Sequence, residues 1–191
     1  QRGVRLRPRL GARAIGGTIN SYLVPTPLIG TQTVCPSGCN YTSLTNPGGL
    51  FEFINANVLT GNLAVEILGD STAETGANAL NVWAEDPPAS NYTLTIRPGG
   101  GALRTVSGSV AGSLLRLNGA DRVTFDGLNT GGNALTVSNT SIANPSTTIT
   151  LTSLGAAAGA TNNAIRNLSI VGGANTTGIY GINLSGSIPS G

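Results

Sequence analysis

Ser113-Leu114-Leu115-Arg116-Leu117-Asn118-Gly119-Ala120-Asp121-Arg122-Val123-Thr124-Phe125-Asp126-Gly127-Leu128-Asn129-Thr130-Gly131-Gly132-Asn133-Ala134-Leu135-Thr136-Val137 is the stretch that decides the fold. It holds three short apolar runs: Leu115 with Leu117, Val123 with Phe125, and Leu135 with Val137. In each run apolar residues take alternate positions, the period of a strand with one buried face. Between the runs lie Asn118-Gly119-Ala120-Asp121 and the segment from Asp126-Gly127 to Gly131-Gly132-Asn133, which is turn chemistry. Strands this short cannot close a sheet alone. A chain of them buries its apolar side chains by coiling, each rung stacked on the one before.

Leu115 to Leu128, with Asn163-Ala164-Ile165-Arg166-Asn167-Leu168-Ser169-Ile170 as a second copy, resembles the repeats of right-handed parallel β-helix proteins, the pectate-lyase-like solenoids of secreted bacterial surface proteins. The likeness runs from about Val34 to the end. It implies an all-β, right-handed parallel β-helix. It implies little about function, because the same fold carries lyases, hydrolases, adhesins and inert fibres.

Composition suits such a coil. Only 9% of residues are charged and 4% aromatic, Gly numbers 28, and His and Met are absent. Small residues turn corners and aliphatic residues stack inside. Regularly placed Leu, Ile and Val supply the apolar area that a disordered chain lacks. The net charge of +2 gives no reason to expect a nucleic-acid partner. No apolar run approaches the roughly 18 residues of a membrane span. The chain opens on Gln1, compatible with removal of a leader, and is expected to be exported to the cell surface or beyond.

Three regions follow. Residues 1–30 read as an extended basic arm. Val4, Leu6, Pro8 and Leu10 alternate with Arg5, Arg7 and Arg9, giving a strand with one apolar and one cationic face, and Ala14 and Ile15 extend the apolar side. Pro8 has no donor to give, so this strand pairs along one edge. Residues 31–62 read as an N-terminal cap. Asn46 is placed as helix N-cap and Pro47 as the first helical residue. Leu50, Phe51, Ile54 and Val58 then form the buried face, and Gly61 ends the helix. A short helix here covers the apolar disc and strand edges that a solenoid's first rung exposes. Residues 63–191 read as the solenoid, which ends at Gly186-Ser187-Ile188-Pro189-Ser190-Gly191 without a cap.

Cys35 and Cys39, in Cys-Pro-Ser-Gly-Cys, are too few for a tetrahedral zinc site, and no His is present to help. A redox dithiol has two residues between its cysteines, not three. In an exported chain the pair reads as a disulfide that shapes a turn, with little effect on chain entropy.

Chemistry is sparse. Asp121, Arg122 and Asp126 form the best catalytic constellation, yet Asp-Gly after a strand is ordinary turn chemistry. Glu85 and Asp86 precede Pro87-Pro88, a loop signature. Asn residues are expected to stack at the corners of the coil. Neither enzyme activity nor a cofactor is expected. The expectation is a structural subunit of an extracellular bacterial filament or surface layer. It joins other copies head to tail through strand addition by the arm and stacking of solenoid ends. The alternative is an adhesin or glycan-binding stalk of a larger surface protein, and a polysaccharide lyase or hydrolase ranks below both.

Overall fold

A computed structural model describes residues 27–156, 158–173 and 178–186. Among the described residues the chain is an all-parallel β-solenoid of about five turns with a single short helix. The arm residues Val4, Arg5, Leu6, Arg7, Arg9, Leu10, Ala14 and Ile15 lie outside the described residues.

Three sheets form the faces of the coil. The first holds β1 (Pro27–Val34), β2 (Val58–Ile67), β5 (Leu94–Pro98), β8 (Val123–Asp126) and β11 (Ala164–Arg166), in that order, with β4 (Ala84–Glu85) beside β2. The second holds β6 (Leu103–Gly108), β9 (Ala134–Asn139) and β12 (Leu168–Val171). The third holds β3 (Leu80–Asn81), β7 (Ser113–Asn118), β10 (Ser146–Ser153) and β13 (Ile179–Gly186). Every pair of neighbouring strands is parallel. The chain visits the faces in rotation, so residues about thirty apart become neighbours.

Register converts the alternating pattern into columns. Val65 stacks on Ile96, Ile96 on Phe125 and Phe125 on Ile165. Val106, Val137 and Ile170 form a second column, and Leu80, Leu117, Leu151 and Leu184 a third. One coil adds a side chain to each column. The core is therefore a set of parallel aliphatic stacks rather than a single ball of residues.

The solenoid begins earlier than its sequence pattern suggests. Pro27 to Gly30, assigned above to the arm, belong to β1 and pair with β2. The helix also moves. Helix α1 spans Leu50–Ala56 with Gly49 as N-cap, not Asn46. Asn46 is drawn away: its Oδ1 accepts hydrogen bonds from Thr75 N and Oγ1, and its carbonyl accepts from Gly49 N. The helix stops at Ala56 because Asn57 turns extended, so Val58 opens β2 instead of closing the apolar face. Leu50, Phe51 and Ile54 remain the buried residues of α1. The second copy of the repeat, Asn163 to Ile170, forms two strands, β11 and β12, bent at Asn167 with φ 56°.

Corners are tight. A Cβ built on Gly127 lies 1.9 Å from the Asn167 carbonyl oxygen of the next coil. We expect Gly127→Ala to cost about 1–3 kcal/mol, the usual range for overpacking, read as a lower urea midpoint at unchanged m-value. An unshifted midpoint shows that the corner can spread.

Candidate functional site

The two ends of the solenoid differ, and the difference starts with the residues beside each terminal rung. At the N-terminal end Leu28, Val34, Leu44, Leu50, Phe51 and Ile54 are all buried. The free edge of β1 is blocked piece by piece. Pro27 offers no donor at its start, and a register shift between Leu28 and Gly30 breaks its line. Asn40 Oδ1 accepts from Thr33 N at 3.0 Å, and Tyr41 lies as a short parallel bridge against Val34. The Cys35–Cys39 disulfide, with Cα atoms 5.5 Å apart, closes the loop that returns Tyr41 to that edge. On the third face α1 takes the place of a first strand. Its Asn55 mimics a peptide group: Nδ2 donates to Ala79 O at 2.8 Å and Oδ1 accepts from Asn81 N at 2.9 Å. The free edge of β3 is closed by one side chain.

A buried carboxylate ties this cap to the coil above. Glu74, 2% exposed, takes Leu44 N and Ser71 Oγ on Oε1 at 2.8 and 2.6 Å. Its Oε2 takes Ser43 Oγ at 2.8 Å, Thr45 N at 2.7 Å and the Thr45 hydroxyl. Five donors from the cap loop and its own turn thus meet one side chain.

At the C-terminal end no such devices occur among the described residues. β11, β12 and β13 each pair on one side only. The large apolar side chains of β13 are exposed, Tyr180 at 49%, Ile182 at 46% and Leu184 at 75%, and the last two continue the inward columns of Ile149 and Leu151. Ile165, Leu168 and Ile170 complete the disc and are half-buried. A cavity of about 320 Å³ opens beside it, lined by Leu151, Ser153, Ala160, Leu184 and Ser185.

The catalytic constellation does not converge. Asp121 accepts from Thr161 N and Oγ1. Arg122 turns to Glu85, its NH2 2.7 Å from Oε1 and its guanidinium 5.8 Å from the centre of the Trp83 ring. Asp126 pairs with Arg166 at 2.8 Å and accepts from Leu128 N and Asn167 Nδ2. Three side chains close in sequence serve three different partners, each thirty to forty residues away. Glu85 also takes Trp83 Nε1, Asn91 N and Tyr92 N, so it is a corner staple rather than half of a pair with Asp86.

Burial pushes the Glu85 and Asp126 carboxyls up. Hydrogen bonds from Trp83 and Asn91, then Arg122, outweigh this at Glu85; those from Asn167 and Leu128, then Arg166, do so at Asp126. Both groups thus titrate below the ordinary carboxylate range. A depressed folded-state value stabilises the fold above the unfolded pKa of about 4. That contribution is lost as pH falls through the lower, folded-state value. We expect the melting temperature to drop below about pH 4, and Asp126→Asn to melt lower at neutral pH with a shallower acid limb. An identical acid limb in the variant places the titration elsewhere.

The expected Asn stacks occur sparsely. Asn118 Nδ2 donates to Asn81 Oδ1 at 2.9 Å. More often the amide serves backbone, as in buried Asn139, which bonds Val110, Gly112, Ser141 and Thr147. Comparison of the chain with protein-family models, curated proteins and solved structures finds no match.

Proposed function

We propose that the protein is a structural subunit of an extracellular bacterial filament or surface layer, joined to other copies through the open C-terminal end of its solenoid. The exposed Ile182 and Leu184, on a strand with no second neighbour among the described residues, carry this reading. An apolar disc bordered by free strand edges recruits another strand, because the added segment buries side chains and satisfies backbone groups together. The basic arm alternates apolar and cationic residues and has the pattern of that segment. The disulfide suits an oxidising compartment, which supports export. The reading is non-enzymatic, since Asp121, Arg122 and Asp126 are each committed to a separate structural partner.

Sedimentation and electron microscopy of the full chain, of Leu184→Arg and of a variant lacking residues 1–26 test it. The wild type is expected to form concentration-dependent, end-to-end assemblies, and both variants to stay single. Removal stops at residue 26 so that β1 keeps all its residues. Assemblies unchanged by both variants overturn the reading. A second reading, a rigid adhesin or glycan-binding stalk within a larger surface protein, draws on the blocked N-terminal edge, which suits the outer tip of a rod. In that case Leu184→Arg alters self-association and loss of residues 1–26 does not.

A further inference from the structure

We infer that residues 4–10 of a second copy seat on β13, and that Pro8 limits each open end to one such strand; this rests on the assembly reading above. Three terminal strands have no second neighbour among the described residues. β11 has three residues and carries Arg166 on its outward side, and β12 has four residues. β13 has eight, and none of them bears a charge. Its Ile182 and Leu184 continue the inward columns of Ile149 and Leu151 and are exposed. A parallel strand laid on β13 needs apolar residues at alternate positions on one side and tolerates cations on the other. Val4, Leu6, Pro8 and Leu10 meet the first requirement, and Arg5, Arg7 and Arg9 the second. On β11 the same arginines would approach Arg166.

Backbone groups alternate between the two edges of a strand just as side chains alternate between its faces. Residues 5, 7 and 9 therefore hydrogen-bond toward one neighbour, and residues 4, 6, 8 and 10 toward the other. Pro8 lacks an N–H. With residues 5, 7 and 9 turned to β13, the outer edge of the added strand is short of a donor at its centre. That edge stops the sheet instead of templating a further strand.

The source is a neighbouring copy in line. Residues 27–90 contain six carboxylates and no arginine, whereas residues 91–186 contain five arginines and two carboxylates. Copies placed end to end, N-terminal end against C-terminal end, bring opposite net charge together. That arrangement delivers the arm, which enters the solenoid at Pro27, to the neighbour's open end.

Mixed copies test the pairing. One carries Arg7→Cys, and the other carries Asn183→Cys or Ser185→Cys, the outward positions beside Ile182 and Leu184, which covers two registers that keep apolar residues inward. Under mild oxidation at concentrations where the wild type assembles, a disulfide between copies is expected in one of the two mixtures. If a double variant links only within a single chain, the arm folds onto its own body and the inference fails. If neither mixture links while the wild type assembles and Leu184→Arg does not, the assembly reading stands and another strand fills the site. If the wild type does not assemble, the reading beneath fails first. Pro8→Val restores the missing donor and should raise the mass of the assemblies at least about twofold by light scattering; an unchanged mass overturns the stopping role.

Discussion

Glu74→Ala should destabilise the fold by at least about 3 kcal/mol, because the donors gathered on one carboxylate lose their acceptor together. Leu44 N and Thr45 N are backbone groups fixed by the cap loop. They cannot turn to water without moving the cap loop, and an alanine offers them no acceptor. The Ser43, Thr45 and Ser71 hydroxyls can rotate and find other acceptors. Glu74→Gln separates the two classes of donor. An amide oxygen at the Oε1 position keeps Leu44 N, but an amide nitrogen at the Oε2 position meets Thr45 N donor to donor. Its cost should fall between zero and that of alanine, about 1–2 kcal/mol. Urea unfolding followed by circular dichroism reads both. A Glu74→Ala loss below 1 kcal/mol would show that the cap is held by its apolar face alone, through Leu50, Phe51 and Ile54.

Phe125→Ala is the second large effect. Phe125 is 1% exposed and stands in the column between Ile96 and Ile165. A solenoid column has no lateral freedom: the residues above and below are set by the ladder and cannot move inward to fill a gap. The full cavity term therefore applies, and the expected loss is about 3–5 kcal/mol. Phe125→Leu keeps most of the volume and should cost less than half as much. Equal losses for the two variants would mean that ring contacts, not volume, hold the column.

Much of the coil was legible because its strands obey a period of two. Leu115 with Leu117, Val123 with Phe125 and Leu135 with Val137 became β7, β8 and β9, one on each face, as the pattern demands. What the pattern hid was everything set by contact between coils. Glu74 sits in an acidic loop of no particular pattern, and its partners at Ser43 to Thr45 lie about thirty residues away. Arg122 looks like a neighbour of Asp121 and Asp126 on paper, but its partner is Glu85, one coil earlier. Asn46 carried a helix-start signal, yet Thr75 from the next coil claimed its oxygen and moved the cap to Gly49. Asn55 shows the same limit: nothing local marks an amide as the stand-in for a strand. Only its place, one coil before Ala79 and Asn81, does so.

Closure at one end of the described coils also gives the winding a direction in time. Each coil finds its template in the coil before it, and among the described residues only the first is anchored by a staple, a helix and a shared carboxylate. Winding should start there and advance rung by rung as the chain leaves the ribosome. Unravelling should run the other way. Amide exchange is therefore expected to be slowest in β2 and β5 and to quicken steadily through β8 and β10 to β13, a slope along the axis in place of a single protected centre.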